Sequence, residues 1–153
     1  LYSHQIKDLK DLPKGAKIAI PNDTTNGGRA LKILADAGFF ALKDGVGVNG
    51  TPADITANPK KLQIIEMEAA VLPRALEDVD YAVINSNYAL GVSLNPSKDS
   101  LFIESKDSPY ANIVAVRKGD RREELQKLAR VLTSPEVKKY IDEKYQGAVV
   151  PAF

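Results

Sequence analysis

Ala16-Lys17-Ile18-Ala19-Ile20, followed by Pro21-Asn22-Asp23-Thr24-Thr25-Asn26-Gly27-Gly28 and then Arg29-Ala30-Leu31, is the most informative stretch of the chain. The apolar run Ala16–Ile20 comes straight after the turn signal Pro13-Lys14-Gly15 and reads as a short buried strand. Pro21 to Gly28 is polar and reads as a loop. Arg29 to Ala37 carries apolar residues at 30, 31, 33, 34 and 37, the stripe of an amphipathic helix, and Gly38 stops it. Strand, polar loop and helix together form the start of an α/β unit.

The pattern continues on the C-terminal side. Thr51 and Pro52 read as the N-cap and first residue of a helix. Leu62–Met67 is a second strand, Glu68–Leu76 suits a helix despite Pro73, and Tyr81–Ile84 is a third strand. Asn85-Ser86-Asn87 follows, then a short helix to about Val92. Leu101–Glu104 and Ala111–Arg117 read as two more strands, separated by Asp107-Ser108-Pro109-Tyr110. Arg121–Leu132 is an amphipathic helix with apolar residues at 125, 128, 129 and 132. Ser134-Pro135 caps another helix running to about Tyr145, and the apolar tail Gly147–Phe153 is expected to dock onto a surface. Alternating strands and helices predict an α/β fold with a mostly parallel sheet. In such sheets ligands sit beyond the carboxyl ends of strands. The loops Pro21–Gly28 and Asn85–Asn87 fall there, and their amides and hydroxyls suit a small polar ligand.

Composition removes several chemistries. The 153 residues are 44% hydrophobic and 27% charged, enough for one compact domain or two small lobes. Lys plus Arg number 21 against 20 Asp plus Glu, so no charge excess points to nucleic acid as a partner. The chain has no cysteine, which removes disulfides, thiolate nucleophiles and cysteine-ligated metals. Its one histidine is His4, so a catalytic triad or multi-histidine metal site would have to use that residue. No cofactor is implied. No apolar run approaches a membrane span, and no signal peptide or lipidation cysteine is present.

The block Ile20–Leu31 (IPNDTTNGGRAL) resembles the loop–helix signature of the methionine-binding lipoproteins, the substrate-binding components of methionine ABC transporters. Four more blocks agree in order and spacing: Leu42–Gly47, Leu72–Asn85, Asp107–Arg117 and Ser134–Phe153. Singly the blocks are moderately specific, but five in register cover essentially the whole chain. Phe153 stands where the family often ends in Trp, and Gly27 where it often has Glu. The resemblance implies a type II periplasmic-binding-protein fold, in which two α/β lobes joined by crossover strands clamp a ligand. It further implies that residues 1–12 are a crossover segment, 13–100 the ligand-binding second lobe, and 101–153 the return strands and helices of the first lobe. Most of that first lobe, the lipid-bearing cysteine and the signal peptide would precede Leu1.

A free amino acid needs a cation and N–H donors for its carboxylate and acceptors for its ammonium. Arg29 offers a bidentate fork at the start of the helix after the loop, and otherwise reads as a surface arginine pairing with Asp23 or Asp36. Asn26 reads either as the N-cap of that helix or as an uncharged ligand group. Asn85, at a strand end, reads either as a helix cap or as a ligand group. The resemblance implies ligand contact for all three, with Arg29 on the carboxylate. Asn87 and Tyr88 are weaker candidates, Thr24 and Thr25 read as local turn formers, and Met67 as core packing.

The family's thioether pocket comes largely from the first lobe, so weak or no binding is expected of these residues alone. The implied partners are L-methionine or a related amino acid and the permease subunits of an ABC transporter. A complementary N-terminal fragment or an element-swapped dimer would cover the exposed apolar face. The implied location is the cell envelope, in the periplasm or on the outer face of the cytoplasmic membrane, with a lipid anchor on the full-length protein. Two other readings use the same two-lobed fold. An enzyme acting on small acids would need an acid–base pair, and the candidate loops offer only Asp23. A ligand-sensing regulator domain would need a helix-turn-helix, which no segment shows.

Overall fold

The computed structural model describes residues 1–105 and 108–153, so Lys106 and Asp107, and with them the first residue of the Asp107–Tyr110 turn, lie outside the described residues. The chain divides into two compact units, Leu1–Glu104 and Ser105–Phe153.

The first unit is built on β1 (Lys17–Pro21), α1 (Thr24–Asp36), β2 (Ala41–Leu42), β3 (Ile55–Ala57), β4 (Gln63–Met67), α2 (Leu72–Ala75), β5 (Tyr81–Ala82), α3 (Ser86–Gly91) and α4 (Pro96–Asp99). Its central sheet has the order β4-β1-β5, all parallel, with Ile18 beside Ile64 on one neighbour and Tyr81 on the other. β2 and β3 form a separate antiparallel pair. Because β1 is covered on both faces, it reads as a continuous apolar run rather than an alternating one.

The two faces have separate cores, and the period of two residues sorts side chains between them. Ile18, Ile20, Tyr81 and Val83 point to one side, where Leu31 and Leu34 of α1 meet Phe39 and Phe40. Ala19, Ala82 and Ile84 point to the other, against Leu72, Leu76, Val79 and Ala89. The Tyr81 ring meets Phe39 edge-on, 5.5 Å between centroids. Its hydroxyl is buried with no hydrogen-bond partner among the described residues. Burial, with Asp80 and Asp11 adding to it, pushes the phenol up to about 12. Tyr81→Phe is therefore expected to stabilise the fold by about 1 kcal/mol, since it removes a desolvated donor without opening a cavity. A denaturant midpoint well below wild type would contradict this.

α1 begins five residues earlier than the sequence pattern indicates, at Thr24, with Asp23 as its N-cap. Two glycines therefore sit inside a helix, where propensity disfavours them. The reason is close packing. A Cβ on Gly28 would lie 2.2 Å from the carbonyl oxygen of Val48, and one on Gly27 would lie 2.9 Å from that of Pro21. Gly28→Ala is expected to destabilise by about 2 kcal/mol, because backbone on the turn Gly47–Asn49 must move and this outweighs the gain in helix propensity. An unchanged thermal midpoint would show that the turn yields freely.

Several expected elements differ. The strand predicted over Tyr81–Ile84 is only Tyr81–Ala82, and the helix predicted over Glu68–Leu76 is only Leu72–Ala75. The predicted strand Leu101–Glu104 is not one: Leu101 N–H donates to Leu1 O at 2.8 Å, and the Leu1 amine donates to Phe102 O at 2.8 Å. That contact is too short to make a ladder. Tyr2 also exchanges two hydrogen bonds with Ala82, which ties Leu1-Tyr2 to the edge of β5.

The second unit contains α5 (Glu123–Leu132) and α6 (Pro135–Tyr145). Ser134 caps α6 by accepting from Val137 N–H, and Gln146 ends it in the left-handed region at φ 46°. The predicted strand Ala111–Arg117 is not formed. A strand needs a neighbour for its N–H and C=O groups, and no strand is found among the described residues of this unit. Ile113, Val114 and Val131 are exposed, and in the apolar tail Ala148 is buried while Val150 and Phe153 are exposed. A unit this small has too little surface to bury such an apolar complement itself.

Candidate functional site

The predicted loops lie at the carboxyl ends of β1 and β5, which are adjacent in the sheet. After β1 the chain turns through Asn22 and Asp23 into α1, and after β5 it turns through Asn85 into α3. Side chains from the two turns meet. Asn85 Nδ2 donates to Asn26 Oδ1 at 2.8 Å, across 59 residues of sequence.

Asp23, not Asn26, caps α1. Its Oδ1 accepts from Asn26 N–H at 2.9 Å, and both its oxygens accept from Asn26 Nδ2, at 3.1 and 3.0 Å. These bonds, the backbone one foremost, hold the Asp23 carboxyl below its ordinary value. The amide of Asn26 thus bridges the cap and Asn85, which fixes its orientation. Asn85 occupies the N-cap position of α3, but its side chain makes no capping bond there. It turns toward Asn26 instead.

Arg29 lies one turn beyond Asn26 on α1. It is therefore in the second turn, not at the helix start, and the orphan N–H groups of the helix belong to earlier residues. Asp36 binds Lys32, both of its oxygens accepting at 2.9 Å. Arg29 instead reaches Glu104: Nε donates to Oε1 at 3.2 Å and to Oε2 at 3.0 Å, and Nη2 also donates to Oε2. The two side chains are 32% and 19% exposed, so the pair is partly sheltered from solvent.

Asn26 and Asn85 thus meet at one end of the sheet, while Arg29, one turn further along α1, pairs with Glu104, which the sequence pattern did not single out. No local signal could have found it, because its partner is 75 residues away. Thr24, Thr25, Asn87 and Tyr88 are exposed, and Met67 packs against the second core as expected. His4 is exposed. No cluster of metal-binding side chains occurs among the described residues. No helix of the described residues is long and apolar enough to cross a membrane.

The resulting arrangement is a cation, an anion and two oriented amides at the carboxyl end of a parallel sheet. The family model for the NlpA lipoproteins matches residues 1–153. The chain belongs to the NlpA lipoprotein family. A relative from Vibrio cholerae, described as a probable D-methionine-binding lipoprotein MetQ, is 45% identical over 150 residues, 97% of this chain and 56% of its own. Lipoprotein 28 of Escherichia coli is 43% identical, over 99% of this chain and 57% of its own. Among solved structures, a nutrient-binding protein of Burkholderia cenocepacia bound to methionine superposes with a TM-score of 0.87 at 51% identity, covering 99% of this chain and 65% of that one. A periplasmic substrate-binding protein of an ABC transporter from Coxiella burnetii gives 0.86 at 46% identity, over 98% and 63%. The chain spans a little over half the length of the curated relatives it matches. Its fold is α/β, shared with the corresponding parts of periplasmic substrate-binding proteins.

Proposed function

We propose that Asn26, Arg29 and Asn85 form the head-group side of an amino-acid site, and that the chain serves as part of a methionine-capturing substrate-binding protein of an ABC importer. The observation behind this reading is the Asn85–Asn26 bond joining the ends of β5 and β1, with the Arg29 fork one turn away. Guanidinium matches a carboxylate in two-point geometry, and the amides serve as donors or acceptors at either end of the ligand. The likeness to a nutrient-binding protein described as bound to methionine supplies the substrate class.

In this reading residues 1–12 cross between lobes, 13–100 form the ligand-binding lobe, and 101–153 return to the other lobe. Exposed Ile113 and Val114 are then covered by the remaining family length rather than by this chain. The ligand bridges the lobes and draws an open form toward a closed one, because it contacts both only when closed. The closed form is what the permease subunits receive. The role is transport and not catalysis, at the outer face of a bacterial membrane, as the lipoprotein family name suggests.

Native mass spectrometry of the gently purified full-length gene product containing residues 1–153 tests this reading. A mass increment of one methionine, lost on denaturation and restored by adding L- or D-methionine, is the expected result. A protein that takes up neither enantiomer would overturn it.

A further inference from the structure

Glu104 is a carboxylate with no ligand role in the proposed site. It is four-fifths buried, its partner Arg29 is a proposed ligand group, and it accepts three hydrogen bonds from that one guanidinium. The second acid near Asn26, Asp23, already receives the Asn26 backbone and side-chain N–H groups on its two oxygens.

We infer that Glu104 is the anionic half of the site, accepting the ammonium of a zwitterionic ligand and selecting against acids that lack one. This rests on the head-group reading of Arg29. A carboxylate has about four acceptor positions, so the bonds from Arg29 leave room for another donor. The charge pattern gives the selectivity. Arg29 alone would favour any carboxylate. With Glu104 beside it the Arg29 cation is paired with an anion, the complement of an amino acid whose two charged ends are themselves adjacent. A plain carboxylate bound at Arg29 brings a like charge up to Glu104 in a half-sheltered place, where repulsion is weakly screened. The ammonium of an amino acid turns that repulsion into attraction.

The test compares L-methionine with desamino-methionine, which keeps the carboxylate and thioether but has no ammonium. Calorimetry is done on the full-length gene product containing residues 1–153 and on its Glu104→Gln variant, which keeps size and one acceptor. Wild type is expected to prefer methionine strongly. In the variant, methionine affinity falls roughly 10- to 100-fold, the loss of one charge-assisted hydrogen bond, while desamino-methionine binds as well as before or better. Binding of the desamino compound also reports that the variant is folded. Methionine affinity that is unchanged or raised in Glu104→Gln overturns the inference, and shows that Glu104 only occupies Arg29 in the empty site. An equal loss for both compounds also overturns it, since Glu104 would then act by holding Arg29 in place. A wild type that binds neither compound overturns the methionine reading, and this inference with it.

Discussion

Arg29→Ala is expected to weaken methionine binding by at least about 30-fold, the effect of removing one partner of a sheltered, charged hydrogen-bond pair. The loss is measured by calorimetry on the full-length gene product. The fold is expected to survive, because Arg29 contributes no buried apolar surface to either core of the first unit. Glu104, four-fifths buried and left without the guanidinium, is expected to cost some stability without unfolding the protein. Arg29→Lys separates charge from geometry. Lysine keeps the positive charge but lacks the planar fork, so an intermediate affinity is expected if two-point recognition of a carboxylate matters. Unchanged affinity in Arg29→Ala would remove Arg29 from the site.

The second large effect concerns Asn85. Asn85→Ala removes the amide that donates to Asn26 Oδ1 at 2.8 Å and, in the proposed site, one polar contact to the ligand head group. Methionine binding by the full-length gene product is expected to fall about 10-fold, the loss of one neutral hydrogen-bonding group. The fold is expected to be kept, because the Asn85 side chain makes no capping bond to α3. Calorimetry beside a denaturant midpoint measures both. Unchanged affinity would remove Asn85 from the site.

The β1–α1 unit, and the placing of its turn and of Asn85 beyond strand carboxyl ends, were legible in the sequence because they rest on local signals. A short apolar run must be buried, a helical stripe must face it, and parallel strands put their following turns at one end. The start of α1 was not legible. Thr24-Thr25 and Gly27-Gly28 have the composition of a loop, yet Asp23 caps a helix there, and the glycines admit the backbone of Pro21 and Val48. Tertiary closeness overrode propensity. The extended patterns at Leu101–Glu104 and Ala111–Arg117 express a backbone preference, but a pattern cannot supply the neighbouring strand that would make a ladder. Glu104 was invisible for a related reason. Its meaning depends on Arg29, and nothing at either position announces the other.

A crystal structure of the full-length gene product with methionine tests most directly whether this end of the sheet holds an amino-acid head group. The expected result is a ligand carboxylate within hydrogen-bond distance of the Arg29 guanidinium, with the Asn26 and Asn85 amides on the same head group. Methionine bound elsewhere, with Arg29 and Glu104 still paired and untouched by ligand, would contradict it.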